Sequence, residues 1–196
     1  MSTPNDTLPS GLPNPTIHIT SHNDAGKSVV RSSGQNEWNW FRDNTVGFDV
    51  VYTTSQFPAL LNDEADISAH AATMAKGTLG LVSKNGTVCR IVDFGPLDMD
   101  PPPTPLMHRT QSLDYGIVLE GEVEMELDDG SVTKMTKGDI AVQRATMHAW
   151  RNPSRTQWAR MLFVLQDCQP VVVGGQRLRE QLGESGSVLP PSGNDD

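Results

Sequence analysis

The sequence predicts a single all-β domain, built as a sandwich or barrel of the jelly-roll kind. From Gly86 onward, short segments rich in β-branched and apolar residues follow one another at intervals of roughly 8–12 residues. Glycine and proline supply 17 and 14 of the 196 residues, which favours frequent turns over a helical bundle. Both observations indicate many short strands joined by tight connections.

The clearest strand lies within residues 120–128, where three glutamates alternate with three apolar residues. Successive side chains of a strand point to opposite faces, so this alternation puts one face in water and the other in a core. We therefore expect Val123, Met125 and Leu127 to be buried and Glu122, Glu124 and Glu126 to be exposed.

The remaining elements follow from apolar patterning and turn residues. Further strands are predicted over residues 16–20, 48–54, 87–94, 131–136, 140–142, 148–150 and 159–165. A short helix is expected over residues 62–76, with Gly77 placed to end it, and a second small helix over residues 176–182. Trp38 and Trp40 are expected on a strand edge or as a cover of the barrel mouth.

Composition predicts the organisation of the chain. Residues 1–16 and 183–196 are polar and rich in turn formers, so both are expected to be disordered tails. Residues 17–85 are expected to supply strands and a short helix that pack on a barrel formed by residues 86–182.

Charge and composition exclude several classes of protein. The net charge is −9 and lysine and arginine do not cluster, which argues against a nucleic-acid partner. No run of 18 apolar residues exists, so no membrane helix is predicted. Cys89 and Cys168 have neither zinc-site nor disulfide-framework spacing, and residues 1–15 do not resemble a secretory leader. We expect a cytoplasmic protein with a small-molecule substrate.

The segment from His108 to Asn152 carries a two-part motif. The first part runs from His108 through Asp114 to Gly121, and the second from Gly138 through His148 to Asn152. This arrangement resembles the cupin superfamily, which implies a jelly-roll β-barrel, here with an N-terminal extension and a few short helices. A full cupin site gives a metal three histidines and one glutamate.

This chain departs from the full cupin site. Thr110 occupies the position of the second histidine, and Asp114 that of the glutamate. His108, Asp114 and His148 remain, so the resemblance implies two alternatives. They hold one divalent metal such as iron, zinc or manganese, or they transfer protons without a metal. A purely structural role for His148 in the core is a further possibility.

The other site predictions concern substrate contacts. Trp150 follows His148 by two residues, so on a strand it shares the inward face and could form a cavity wall. Thr110 and Gln143 are also expected to contact substrate, Gln143 because the strand bends there before His148.

The motif is similar to stand-alone cupins of microbial, often fungal, secondary metabolism. That resemblance implies a tailoring enzyme that acts on a polyketide-like or aromatic acid. We expect a lyase or isomerase that decarboxylates, dehydrates or isomerises its substrate by acid–base chemistry. The alternatives are an Fe(II)-dependent oxygenase with a reduced ligand set and a non-catalytic ligand-binding cupin. The resemblance also implies a homodimer.

Overall fold

The computed structural model describes residues 8–183 and 189–194. Its elements, in chain order, are β1 (Ile17–His22), β2 (Ser28–Gly34), β3 (Asn39–Phe41), β4 (Val46–Thr53), α1 (Ala65–Lys76), β5 (Thr87–Phe94), β6 (Ser112–Glu120), β7 (Glu122–Leu127), β8 (Val132–Thr136), β9 (Ile140–Arg144), β10 (His148–Arg151), β11 (Ala159–Asp167), β12 (Val171–Val173) and β13 (Gln176–Leu178). The prediction of a mostly β protein with a jelly-roll arrangement is confirmed.

Two antiparallel sheets enclose the core. The larger sheet has the strand order β3-β4-β5-β11-β6-β9, and the smaller one has the order β10-β7-β8. Their inward side chains meet in one apolar cluster, which includes Val123 of β7, Val118 of β6 and Met161 of β11. Since consecutive side chains alternate between faces, only every second residue of each strand enters this space.

The predicted register of β7 is confirmed most clearly at its first residues. Val123 is fully buried and Glu122 is exposed. The predicted exposure of Glu124 and Glu126 is wrong, since both are half-buried, and Met125 and Leu127 are also only half-buried. The reason is that Met125 and Leu127 border a surface depression near β9 rather than the centre of the core. The alternation therefore gives the correct face but overstates how deeply the far end of the strand is buried.

The helix predictions have opposite outcomes. Helix α1 spans Ala65–Lys76 and ends at Gly77, whose φ of 63° closes it in the left-handed conformation. The helix predicted over residues 176–182 is wrong, because Gln176–Leu178 forms a strand that pairs with β12. Gly174 and Gly175 both have positive φ between these strands, as a two-residue hairpin turn requires.

The N-terminal strands do not simply pack on a separate barrel. β4 pairs with β5 and β3 pairs with β4, so both strands belong to the larger sheet. Residues 17–85 and 86–182 therefore share one sheet. β1 and β2 instead form a separate hairpin, in which every residue of β2 is exposed.

The described parts of the predicted tails make specific contacts. Ser10 donates a hydrogen bond to Asp93, and the Pro13 carbonyl accepts one from Arg160. Residues 189–194, which we call the C-terminal segment, place Asn194 against Gln111 through two hydrogen bonds. These contacts differ from the disorder expected for residues 1–16 and 183–196; residues 1–7, 184–188 and 195–196 lie outside the described ranges.

The only α-helix within the described ranges, α1, has 12 residues. In that part of the chain, no helix is long and apolar enough to cross a membrane.

Candidate active site

A cavity of about 160 Å³ lies between the two sheets. An engineered apolar cavity of about 150 Å³ binds benzene, so this volume suits a ligand built on one small ring. Its walls are mainly aromatic and aliphatic, formed by Val46, Phe48, Leu81, Val92, Phe94, Leu97, Leu106, Trp150, Phe163, Leu165 and Leu189. Four polar side chains that matter for chemistry also line it, namely Arg90, His108, Asp114 and His148. An apolar cavity with a few polar groups is the usual form of a small-molecule site.

His108 and His148 form a directly contacting pair. The two residues exchange both backbone hydrogen bonds, each with a length of 2.9 Å, so their side chains lie side by side on one face. The centroids of the imidazole rings are 4.5 Å apart, with an interplanar angle of 50°. The motif prediction that these histidines share one cavity is therefore matched by the placement of both rings.

Backbone carbonyls define the proton positions on the two rings. Nδ1 of His108 lies 2.8 Å from the Leu106 carbonyl oxygen, and Nδ1 of His148 lies 2.9 Å from that of Thr146. Since a carbonyl oxygen only accepts, each Nδ1 donates its proton and each Nε2 keeps a lone pair. Both rings are thus oriented by the backbone and present Nε2 as the chemically active atom.

Burial keeps the imidazoles neutral. Loss of solvation, together with the smaller effect of the neighbouring His108, lowers the pKa of His148 to about 4. Burial also lowers the pKa of His108. At neutral pH both rings therefore rest in the unprotonated form, able to accept a proton.

Asp114 projects inward from β6 and is only 4% exposed. Its Oδ2 accepts a long hydrogen bond of 3.5 Å from Thr110 Oγ1, whose oxygen in turn accepts one from Ser112 at 2.8 Å. Burial raises the pKa of Asp114 to about 6, opposed by hydrogen bonds from Ser112 and Thr110 and by the charge of Arg90. Asp114 can therefore occur in either protonation state near neutral pH.

Arg90 is a cavity residue that the sequence analysis missed. It lies on β5 and is 4% exposed, with Nη2 donating 2.8 Å to the Gly80 carbonyl and 3.4 Å to that of Leu81. Its guanidinium carbon lies 5.4 Å from the centroid of the Phe48 ring, a cation–π contact. Burial lowers its pKa to about 10, which leaves it charged at neutral pH. One feature of the sequence could have identified it. Arg90 lies two residues from Val88 and two from Val92, so on a strand this charged side chain shares a face with two valines.

Of the three residues predicted to contact substrate, Trp150 lines the cavity, whereas Thr110 and Gln143 do not. Trp150 lines the cavity and meets His148 edge-on, with 5.7 Å between the ring centroids. Thr110 is buried behind Asp114 and acts on the carboxylate rather than on the cavity. Gln143 is turned away from this cavity: it bonds to Thr146 and to Met125 Sδ, and it borders the surface depression near β9. The prediction that Gln143 contacts substrate in this cavity is therefore wrong.

The residues present do not fit a three-ligand metal centre. Within residues 8–183 and 189–194, no three His, Cys, Asp or Glu side chains group closely enough to hold an ion. His108 and His148 offer two nitrogens, but Asp114 interacts with the Arg90 cation and is held by Thr110. The threonine at position 110 also removes the nitrogen that the family motif supplies there. The iron, zinc or manganese site expected at His108, Asp114 and His148 thus lacks a third ligand in place.

Known proteins resemble the chain over most of its length. The family model Cupin_2, described as Cupin domain, matches residues 96–165. Oryzines biosynthesis cluster protein J of Aspergillus oryzae is 39% identical over 173 residues, which cover 87% of this chain and 93% of that protein. Phomopsin biosynthesis cluster protein D of Diaporthe leptostromiformis is 35% identical over 187 residues, covering 93% and 94% of the two chains.

A third relative is named as an oxidoreductase. Cupin-domain-containing oxidoreductase fogC of Aspergillus ruber is 39% identical over 181 residues, which cover 89% of this chain and 83% of that protein. The matched family segment includes both motif histidines and Asp114. The chain therefore belongs to the cupin superfamily and is similar to cupin-domain proteins of fungal secondary-metabolite clusters.

Proposed function

We propose that this protein is an enzyme of secondary metabolism that moves protons on a small carbonyl compound, as a lyase or isomerase. The observation that carries the proposal is the pair of touching imidazoles, each with Nδ1 fixed to a carbonyl and Nε2 available in an apolar cavity. Relatives named as biosynthesis cluster proteins and as cupin-domain oxidoreductases support an enzyme of this kind of metabolism. The reaction type is our inference from the side chains.

The two histidines divide the proton transfer between them. Nε2 of one neutral imidazole takes a proton from the carbon next to the substrate carbonyl, and the electron pair moves onto the carbonyl oxygen as an enolate. The low pKa makes the resulting imidazolium a strong donor, so the proton is readily passed on rather than retained. Return of a proton to a different carbon completes an isomerisation.

Asp114 extends this chemistry to eliminations. Its pKa of about 6 leaves part of the population protonated near neutral pH, so it can protonate a departing hydroxyl group that leaves as water. The walls are mainly apolar, which lowers the local dielectric and strengthens the electrostatic contacts made inside the cavity. Dehydration and isomerisation thus use the same three side chains.

Deuterium exchange provides a direct test without the natural substrate. The protein is incubated in D₂O with a panel of aromatic and short-chain β-keto acids, and loss of the proton signal next to the carbonyl is followed by NMR. We expect exchange above the buffer rate with at least one member. His108→Ala and His148→Ala should slow it by about 10²–10⁴-fold, the usual contribution of a positioned acid or base.

His70→Gln is the matched control, since His70 is a half-buried histidine that contacts Thr53 and Tyr52 outside the cavity. It should exchange at the wild-type rate. Full exchange by both cavity variants, with circular dichroism showing the native fold, would place the chemistry elsewhere.

A second candidate is an oxidoreductase, which the names of fogC and of virC of Hypocrea virens favour. Metal analysis and chelation separate the two. Exchange that survives EDTA supports proton transfer, whereas stoichiometric iron and activity that requires it support the oxidoreductase. Tight binding of panel members without any turnover would instead indicate a ligand-binding cupin.

A further inference from the structure

Two buried polar atoms in the cavity have no partner in the described chain. Nε of Arg90 and Oδ1 of Asp114 are both covered from solvent and make no hydrogen bond to residues 8–183 or 189–194. A buried polar atom left without a hydrogen bond costs roughly 1–3 kcal/mol, so each of the two is stabilised when a partner such as a ligand or a water reaches it.

The two atoms are complementary in chemistry. The guanidinium nitrogen is a donor that carries positive charge, whereas the carboxylate oxygen is an acceptor. They belong to residues that both line the cavity and interact electrostatically, yet no hydrogen bond joins these two atoms. Nη2 of Arg90 donates hydrogen bonds to the carbonyl oxygens of Gly80 and Leu81, and these bonds hold the guanidinium in place.

The surrounding walls restrict the shape of a ligand. The Phe48 ring lies against Arg90, and Trp150 and Phe163 contact each other with centroids 5.5 Å apart. Flat aromatic walls favour a planar ligand body. The terminal torsion of an aspartate side chain is soft, so Asp114 can turn Oδ1 toward a ligand at little cost.

We propose that Arg90 and Asp114 form the polar anchor of this cavity for a small planar acid that carries a hydroxyl group next to its carboxylate. The carboxylate of the ligand accepts hydrogen bonds from the guanidinium of Arg90. The adjacent hydroxyl donates to Oδ1 of Asp114. This inference names the substrate class of the site and rests on the proposed function for its chemical use, while the binding itself does not require turnover.

Binding to the unmodified protein tests the anchor first. Isothermal titration calorimetry compares four compounds: 2-hydroxybenzoate, 4-hydroxybenzoate, benzoate and benzyl alcohol. All four contain one benzene ring, and they differ in the presence of a carboxylate and in the position of the hydroxyl group. We expect 2-hydroxybenzoate to bind most tightly and benzyl alcohol to bind about ten- to a hundredfold more weakly, the usual effect of losing a charged hydrogen bond. Equal binding of all four compounds would overturn the proposal.

Variants then assign the two contacts. Arg90→Gln should weaken the binding of 2-hydroxybenzoate about ten- to a hundredfold. Asp114→Leu removes the acceptor oxygen, which an asparagine would keep, so it should abolish the preference for the 2-hydroxy over the 4-hydroxy isomer. Arg155→Gln is the matched control, because Arg155 is an exposed arginine paired with Asp98, and it should bind like the wild type. A folded Asp114→Leu protein that keeps the full isomer preference would contradict the proposal, even where Arg90→Gln fails to fold.

The histidine variants separate this proposal from the catalytic one. His148→Ala should retain the ranking of the four compounds while it loses deuterium exchange. Ranked binding without exchange in the wild type supports the anchor and refutes the proton-transfer function. Deuterium exchange by a protein that binds all four compounds equally would refute the proposed anchor, while the proposed proton-transfer function would remain supported.

Discussion

Two cavity groups, His148 and Asp114, should change the stability of the fold in opposite directions as the pH falls. His148 has a pKa of about 4 in the folded protein against 6.5 as an unperturbed group, so the unfolded chain binds its proton first. Stability contributed by neutral His148 is therefore lost as the pH falls below 6.5. Asp114 has a pKa of about 6 against 3.8, so the folded protein binds its proton first and gains stability over the same range.

The expected magnitudes follow from these values. Between pH 7.5 and 4.5, burial of His148 should cost the wild type about 2.5 kcal/mol of unfolding free energy, at 1.36 kcal/mol for each pKa unit. Protonation of Asp114 should return about 2 kcal/mol over the same interval. In the wild type the two contributions largely offset each other, so single variants are needed to reveal them.

Urea unfolding followed by tryptophan fluorescence at pH 7.5 and 4.5 measures the effect. Relative to the wild type, His148→Gln should gain about 2.5 kcal/mol on acidification, whereas Asp114→Asn should lose about 2 kcal/mol. The double variant should lie close to the wild-type pH profile, which serves as an internal control. Changes of the same sign in both single variants would refute the reasoning from burial.

Three further outcomes concern packing and assembly. Met161→Ala should lower the unfolding free energy by about 2–5 kcal/mol because Met161 is fully buried, and Met125→Ala by less because Met125 is half-buried; urea midpoints compare them. Asp93→Ala should cost about 3–5 kcal/mol, seen in the same assay, because it leaves Arg160 buried without its carboxylate partner. The family resemblance predicts a homodimer, so light scattering at micromolar concentration should give about twice the chain mass of 21.3 kDa. A measured mass equal to that of one chain would show that the protein is a monomer.

Local patterns predicted several strands, among them β4, β5, β7 and β11, but not β2, β6, β12 or β13. Alternation in β7 identified the face that carries Val123, and Gly77 marked the end of α1. The motif positions led to His108, Asp114 and His148, which all line one cavity. The strand assignments depend on short-range periodicity, which a single sequence contains, whereas the three site residues follow from the resemblance to the cupin motif.

The sequence could not show what depends on contacts between distant segments. Arg90 shares an alternating strand with Val88 and Val92, but alternation does not say which face meets the cavity. Ser10 lies in a stretch that composition predicts to be disordered, although it bonds to Asp93, 83 residues away. Gln143 stands beside motif residues in the sequence, yet its side chain turns toward Met125.

The C-terminal segment couples the cavity to a distant part of the chain. It contributes Leu189 to the wall of the cavity, and Ser192 accepts a hydrogen bond from the backbone of Val82 across 110 residues of chain. Contacts of such sequence separation close slowly during folding. Residues 189–194 form no strand of either large sheet, so both sheets can assemble before this segment docks. Undocking of the segment would remove one wall of the cavity and leave the strand pairing of both sheets intact.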